Sequence, residues 1–132
     1  MTIICRDSYE AMAAGDLILS ACGTANLEAA LLGTPLIAFY RISPLTYGFG
    51  VKLVRIKNYS IVNILAGDRI VPELIQRKFT PENLFQEAKR ILDSPDVQAG
   101  MKARFLDIRR SLGEEPASRN AALELASLVG EG

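Results

Sequence analysis

Gly23 and Thr24 lie in the small-residue turn "ACGTA", and Glu28 stands four residues beyond Thr24. That offset places Thr24 and Glu28 on one face of a helix, a single turn apart. The pair is not a capping box, whose acid lies three residues after the cap; that position is Leu27. A helix starting among small residues offers unpaired N–H groups and partial positive charge to a phosphate or pyrophosphate. A carboxylate one turn deeper does not hold phosphate, but it accepts hydrogen bonds from paired sugar hydroxyls. Phosphates on the helix start and a ribose on Glu28 would together describe a nucleotide diphosphate. The competing account is a solvent-facing Glu gaining about 0.5 kcal/mol from the helix dipole. Spacing alone does not choose between them.

Other chemistries are narrowed by what the chain lacks. There is no histidine, which removes Ser-His-Asp and Cys-His catalysis, most zinc sites and the usual neutral-pH base, unless another chain supplies one. Cys5 and Cys22 fit no metal spacing and read as small buried hydrophobes of a reduced protein. Fifteen Lys and Arg balance fifteen Asp and Glu, so no bulk attraction to nucleic acid is expected. No signal peptide is visible and no apolar run reaches membrane-spanning length. A soluble or peripheral, cytoplasmic protein is expected.

The elements that would position such a site follow from the apolar pattern. At 132 residues the chain is one domain's worth. "TIIC" (Thr2 to Cys5) reads as a strand, and Asp7 or Ser8 can cap a short helix through Ala14, ended by Gly15. "LILS" (Leu17 to Ser20) is continuous rather than alternating, as in a strand buried on both faces. A helix from about Thr24 to Leu32 stops at Gly33 and Pro35, and "LIAFY" (Leu36 to Tyr40) is a further buried strand. The alternation implies an α/β fold with a parallel sheet and right-handed crossovers. Ligands of such sheets bind beyond the carboxyl ends of the strands, where the "ACGTA" turn lies.

Past Tyr40 the pattern is mostly helical. Ser43 and Pro44 open a mixed aromatic, apolar and basic stretch, and Ile61 to Gln76 reads as turn-rich with a short helix started by Pro72. Thr80 caps a helix with an apolar stripe of Leu84, Ala88, Ile91 and Leu92; Ser94 and Pro95 open another, ended by Gly113; Ala117 to Val129 forms the last. Strands are thus expected in residues 1–42 and mainly helix in 43–132, within a single domain. A short parallel sheet whose first strand begins at residue 2 has a bare edge. That layout suggests the C-terminal part of a larger, truncated protein.

The quoted residues also carry a resemblance. "ACGTANLEAALLGTPLIAFYRISPLTY", followed by "NILAGDRIVPELIQ" and "TPENL", strongly resembles the C-terminal region of lipid-A-disaccharide synthase, an inverting glycosyltransferase of the two-domain GT-B arrangement. The likeness runs from about Leu17 to Leu112, and the "SPLTY" and "VPEL" stretches are its specific pieces. The Gly-Thr…Glu element is shared by many GT-B enzymes. The resemblance implies a partial Rossmann-like domain that holds a UDP-sugar donor. The implied reaction joins UDP-linked diacylglucosamine to diacylglucosamine 1-phosphate in a β-1,6 bond within lipid A biosynthesis, without cofactor or metal.

Carried over, Gly23 and Thr24 would sit by the pyrophosphate and Glu28 by the ribose, with Arg41, Asn63 and Gln76 near the donor or the interdomain cleft. Asn63 also reads as a turn residue ahead of Gly67, and Glu73 as a first-turn dipole residue rather than a ligand. The family usually has Ser where this chain has Cys22, which weakens one phosphate contact. The general base would lie in the absent N-terminal domain, so the 132-residue chain is expected not to turn over. Leu45, Phe49, Lys52 and Arg55 suit contact with an anionic membrane surface or an acyl-chain path, although such stripes are more often core. The resemblance thereby allows a peripheral place on the inner face of the inner membrane. Two alternatives stand beside the enzyme fragment: a non-catalytic UDP-sugar-binding or interaction module, and another GT-B or UDP-sugar epimerase relative.

The bare sheet edge predicts self-association into a homo-oligomer, by exchange of C-terminal helices. Light scattering across the micromolar range should give a mass above that of one chain; a monodisperse monomer would sink the expectation.

Overall fold

The computed structural model describes residues 7–41, 57–113 and 117–130. The expected strand at Thr2 to Cys5 and the stretch carrying Leu45, Phe49, Lys52 and Arg55 lie outside the described residues. In chain order the elements are α1 (Ser8–Ala13), β1 (Ile18–Ala21), α2 (Thr24–Leu31), β2 (Leu36–Tyr40), α3 (Ile61–Ala66), β3 (Glu73–Ile75), a 3-10 turn (Gln76–Lys78), α4 (Pro81–Leu92), α5 (Pro95–Leu112) and α6 (Ala117–Gly130). The described strands form one parallel sheet in the order β1-β2-β3. The fold is α/β, a short parallel sheet with a mostly helical C-terminal half, as the pattern predicts.

Short connections explain why α2 returns the chain to the sheet. At its end Gly33 N–H donates to Ala30 O at 3.0 Å and Thr34 N–H to Ala29 O at 3.1 Å. This double closure is a Schellman motif, and it needs a left-handed residue; Gly33 supplies it with φ 78°. Pro35 then prevents further helix, and β2 follows with Leu36, Ile37 and Ala38 wholly buried. Thr34 adds a tie to α1, donating its hydroxyl to Met12 O at 2.8 Å.

Two expectations are corrected here. β1 is not buried on both faces; its exposure alternates, with Leu19 48% exposed. Leu19 and Ala21 form its exposed face, and Ile18 and Ser20 the partly covered one. No helix starts at Pro72: the residues after it form β3, and the helix of that region is α3, which begins eleven positions earlier at Ile61. Ser60 caps α3 by accepting from Val62 N–H, and Gly67 ends it at φ 66°. Pro72, lacking an N–H, serves the strand instead by accepting from Ala38 N–H at 3.0 Å. The sheet therefore draws its third strand from the mainly helical stretch. A strand of three residues gives too little alternation to be read from the sequence.

The core lies where α2, α3 and α5 meet the sheet: Ala29, Ala30, Leu36, Ala38, Val62, Met101, Phe105 and Ile108 are all buried. Met101, Phe105 and Ile108 recur at helical spacing along α5 and make its inner stripe. On α4, Ile91 is buried as the stripe predicts, but Leu92 is turned outward and 45% exposed. Phe39 at the end of β2 stacks on Phe79, ring centroids 4.6 Å apart, fastening the chain just after β3 to the central strand.

Phe105 is the largest fully buried side chain among the described residues. Phe105→Ala should lower the unfolding free energy by roughly 3–5 kcal/mol, read by denaturant unfolding; a loss below about 1 kcal/mol would show that α5 does not seal the core.

Candidate functional site

Parallel pairing brings the three strand ends to one level. Ala21 pairs with Phe39 and Phe39 with Leu74, and the next step pairs Tyr40 with Ile75. Cys22 continues the ladder, its N–H donating to Phe39 O at 2.8 Å. One residue further on, Gly23, Arg41 and Gln76 leave their strands together at the carboxyl edge. Sequence-predicted residues from three distant segments thus share one rim.

The helix start on that rim is held by a residue the sequence reading passed over. Gly23 is the N-cap of α2 and Thr24 its first helical residue. Asn26, fully buried, donates to Ala21 O at 3.0 Å and accepts from Gly23 N–H at 3.4 Å. Its side chain locks the turn from beneath, leaving the first N–H groups of α2 directed past the strand ends. Its position three residues after the cap is where a capping side chain belongs, and that offset was the available signal.

Glu28 stays on the same helical face as Thr24, opposite the buried Asn26, Ala29 and Ala30. It is half-buried. Its surroundings differ from the rim's: it lines a depression of about 380 Å³ with Tyr9, Leu31, Leu32, Arg109 and Leu112. The described residues therefore place Gly23 and Thr24 at the mouth and Glu28 in a neighbouring hollow between α2 and the end of α5.

Behind the rim stands a buried polar knot. Glu73 Oε1 accepts three N–H donors, from Tyr59 at 2.9 Å, Ser60 at 2.8 Å and Asn63 Nδ2 at 2.9 Å. Its other oxygen accepts no hydrogen bond and lies 3.6 Å from Arg69 Nη2. Glu73 is not the first-turn dipole residue that the sequence suggested; it sits in β3 with its side chain shut from solvent. A carboxylate taken from water must be met by donors, and the start of α3 supplies two of them. An acid set in the apolar run "VPELI" is the sequence signal for such a group.

Asn63 is the knot's other half. Its Oδ1 accepts from Ile70 N–H at 2.8 Å and Val71 N–H at 2.9 Å, while Nδ2 donates to Val71 O and to Glu73. Both amide functions are spent on the chain itself, and the residue is 0% exposed. The structure thus places Asn63 one layer behind the rim, binding α3 to the approach of β3, and its neighbour Glu73 carries that link to the strand. Gln76 and Arg41 remain on the rim; Arg41 is exposed.

Cys22 is half-buried. Burial, together with the Glu73 carboxylate, pushes its thiol up to about 11. At neutral pH it is a protonated, weak hydrogen-bond donor beside the turn, in the place where a hydroxyl would bond more strongly.

A family model for lipid-A-disaccharide synthetase matches residues 1–126. Among curated relatives, the lipid-A-disaccharide synthase of Solibacter usitatus is 41% identical over 128 residues, 96% of this chain and 34% of that protein. Those of Geobacter metallireducens and Nitrosococcus oceani are 38% and 37% identical over 98% and 99% of the chain, again 34% of each protein. The chain spans about a third of the length of these relatives.

Asn63→Ala leaves the buried Val71 N–H and the partly buried Ile70 N–H without an acceptor, at roughly 1–3 kcal/mol each, and takes one donor from Glu73. It should lower stability by about 3 kcal/mol or more in denaturant unfolding. Unchanged stability with altered nucleotide binding would instead make Asn63 a ligand contact.

Proposed function

The chain belongs to the lipid-A-disaccharide synthetase family, and on that premise we propose that it is the donor-nucleotide-binding portion of an inverting glycosyltransferase. The whole enzyme would move diacylglucosamine from its UDP derivative to diacylglucosamine 1-phosphate in lipid A biosynthesis. The observation carrying this reading is the shared rim: the start of α2 at Gly23 and Thr24 opens level with Arg41 and Gln76 at the carboxyl edge of a parallel sheet. That is where an open α/β sheet takes its ligand.

Each group has a task there. The N–H groups at the start of α2 and the helix dipole would bind the diphosphate and stabilise the charge gathering on it as the sugar leaves. Asn26 fixes those donors before ligand arrives, so little reorganisation accompanies binding. Arg41 adds an exposed positive charge at the rim. Glu28, one turn down the same face, would accept the ribose hydroxyls. Cys22, held as a thiol, keeps negative charge away from the phosphates. The general base is assigned to a part of the enzyme outside this chain, because the described rim residues Gly23, Thr24, Arg41 and Gln76 include no carboxylate or imidazole. Among the described residues no helix is long and apolar enough to cross a membrane; a peripheral place on the inner face of the inner membrane is part of the proposal.

Calorimetric titration of UDP into the chain and into Glu28→Gln tests the reading. Binding to the wild type should weaken by roughly tenfold in the variant, about 1.4 kcal/mol. Equal affinity for both would remove the ribose from Glu28, and absence of binding to the wild type would remove the donor site from this chain.

A further inference from the structure

β3 runs straight into Gln76, Arg77 and Lys78, wound into one 3-10 turn. Gln76 holds φ at 53°, the one left-handed non-glycine among the described residues. Such a conformation is strained for a residue that carries a side chain, persists only where its surroundings impose it, and gathers at functional sites. The turn lines a cavity of about 400 Å³ together with Tyr59, Arg69 and Glu73.

The charges around this cavity do not cancel. Arg77 and Lys78 are exposed, and neither forms an ion pair with a carboxylate of the described residues. Arg69 is 51% exposed and is steadied by Glu73 at 3.6 Å. Glu73 itself is sealed beneath and already accepts three hydrogen bonds, so it acts as an anchor for Arg69. Three cations against one buried carboxylate leave an excess of two positive charges. A phosphate monoester, with a second pKa near 6, carries close to two negative charges at neutral pH. The arginine forks and the lysine ammonium suit its oxygens.

We infer that the Arg69, Arg77 and Lys78 cavity binds the phosphate monoester of a ligand, at a site separate from the α2 turn. β1 and β3 are two strand spacings apart, about 9–10 Å, so one phosphate does not serve both places. The assignment stands whether or not α2 takes a nucleotide.

The probe is inorganic phosphate, titrated into the 132-residue chain at constant ionic strength with chloride as control and followed by amide NMR shifts. Phosphate should move the amides of Gln76, Arg77 and Lys78 and saturate. The double variant Arg77→Gln, Lys78→Gln removes two exposed cations without touching the core, and should weaken binding roughly tenfold. Shifts confined to Gly23 and Thr24, an unchanged affinity in the double variant, or no response beyond chloride would each overturn the inference. Vesicles of neutral lipid with and without phosphatidate then separate the sources. Sedimentation with phosphatidate that is lost in the double variant assigns a lipid-borne monoester; phosphate binding without sedimentation assigns a soluble one.

Discussion

One buried carboxylate holds the described sheet to its helices. Glu73 lies on β3, an outer strand among those described, yet its oxygen gathers N–H groups from the two residues that precede α3 and from Asn63 within it. Without those donors a sealed charge would cost several kcal/mol; without the charge, the start of α3 would lose its acceptor. The requirement is mutual, so α3, the Ile70–Val71 approach and β3 have one arrangement in which all are satisfied. The rim inherits its geometry from that arrangement, because Gln76 follows three residues after Glu73 and Cys22 lies within range of its field.

Much of this architecture was legible in the sequence because its signals are local. Gly33 and Pro35 end α2 where the pattern says; Thr80 with Pro81, and Ser94 with Pro95, open α4 and α5 where they should. The rim could also be anticipated, since Gly23 and Thr24 follow a recognisable strand. What escaped was non-local. β3 is three residues long and owes its existence to β2 and to the knot, so Pro72 was assigned to a helix it does not start. Glu73 read as a first-turn dipole residue because no periodicity announces a carboxylate whose donors lie ten, thirteen and fourteen residues earlier. Asn63, singled out for its chemistry, proves to be occupied by its own chain.

The predicted site residues accordingly sort into layers. Gly23, Thr24, Arg41 and Gln76 meet at the surface, Asn26 and Asn63 hold the backbone behind them, and Glu28 opens on a neighbouring hollow. Buried amides set the backbone, and the exposed Arg41 stands where it can respond to charge. A site built this way separates rigidity from recognition, so substitutions in the two layers leave different signatures: loss of fold in one, loss of affinity in the other.

The sheet's connectivity carries a consequence for the order in which the molecule assembles. β1 and β2 are joined through a single short helix, whereas Glu73 lies about twice as far along the chain from its partner Ala38 as Ala38 does from Ser20. Doubling a loop adds only about 0.6 kcal/mol of closure entropy, but β3 has three residues over which to recover it. The β1–α2–β2 unit, rich in nearby contacts, is the natural nucleus, and β3 is the piece added afterwards. The carboxylate that fixes the finished structure is therefore a latch, closing on a frame that has already formed and marking the first place from which that frame can come apart.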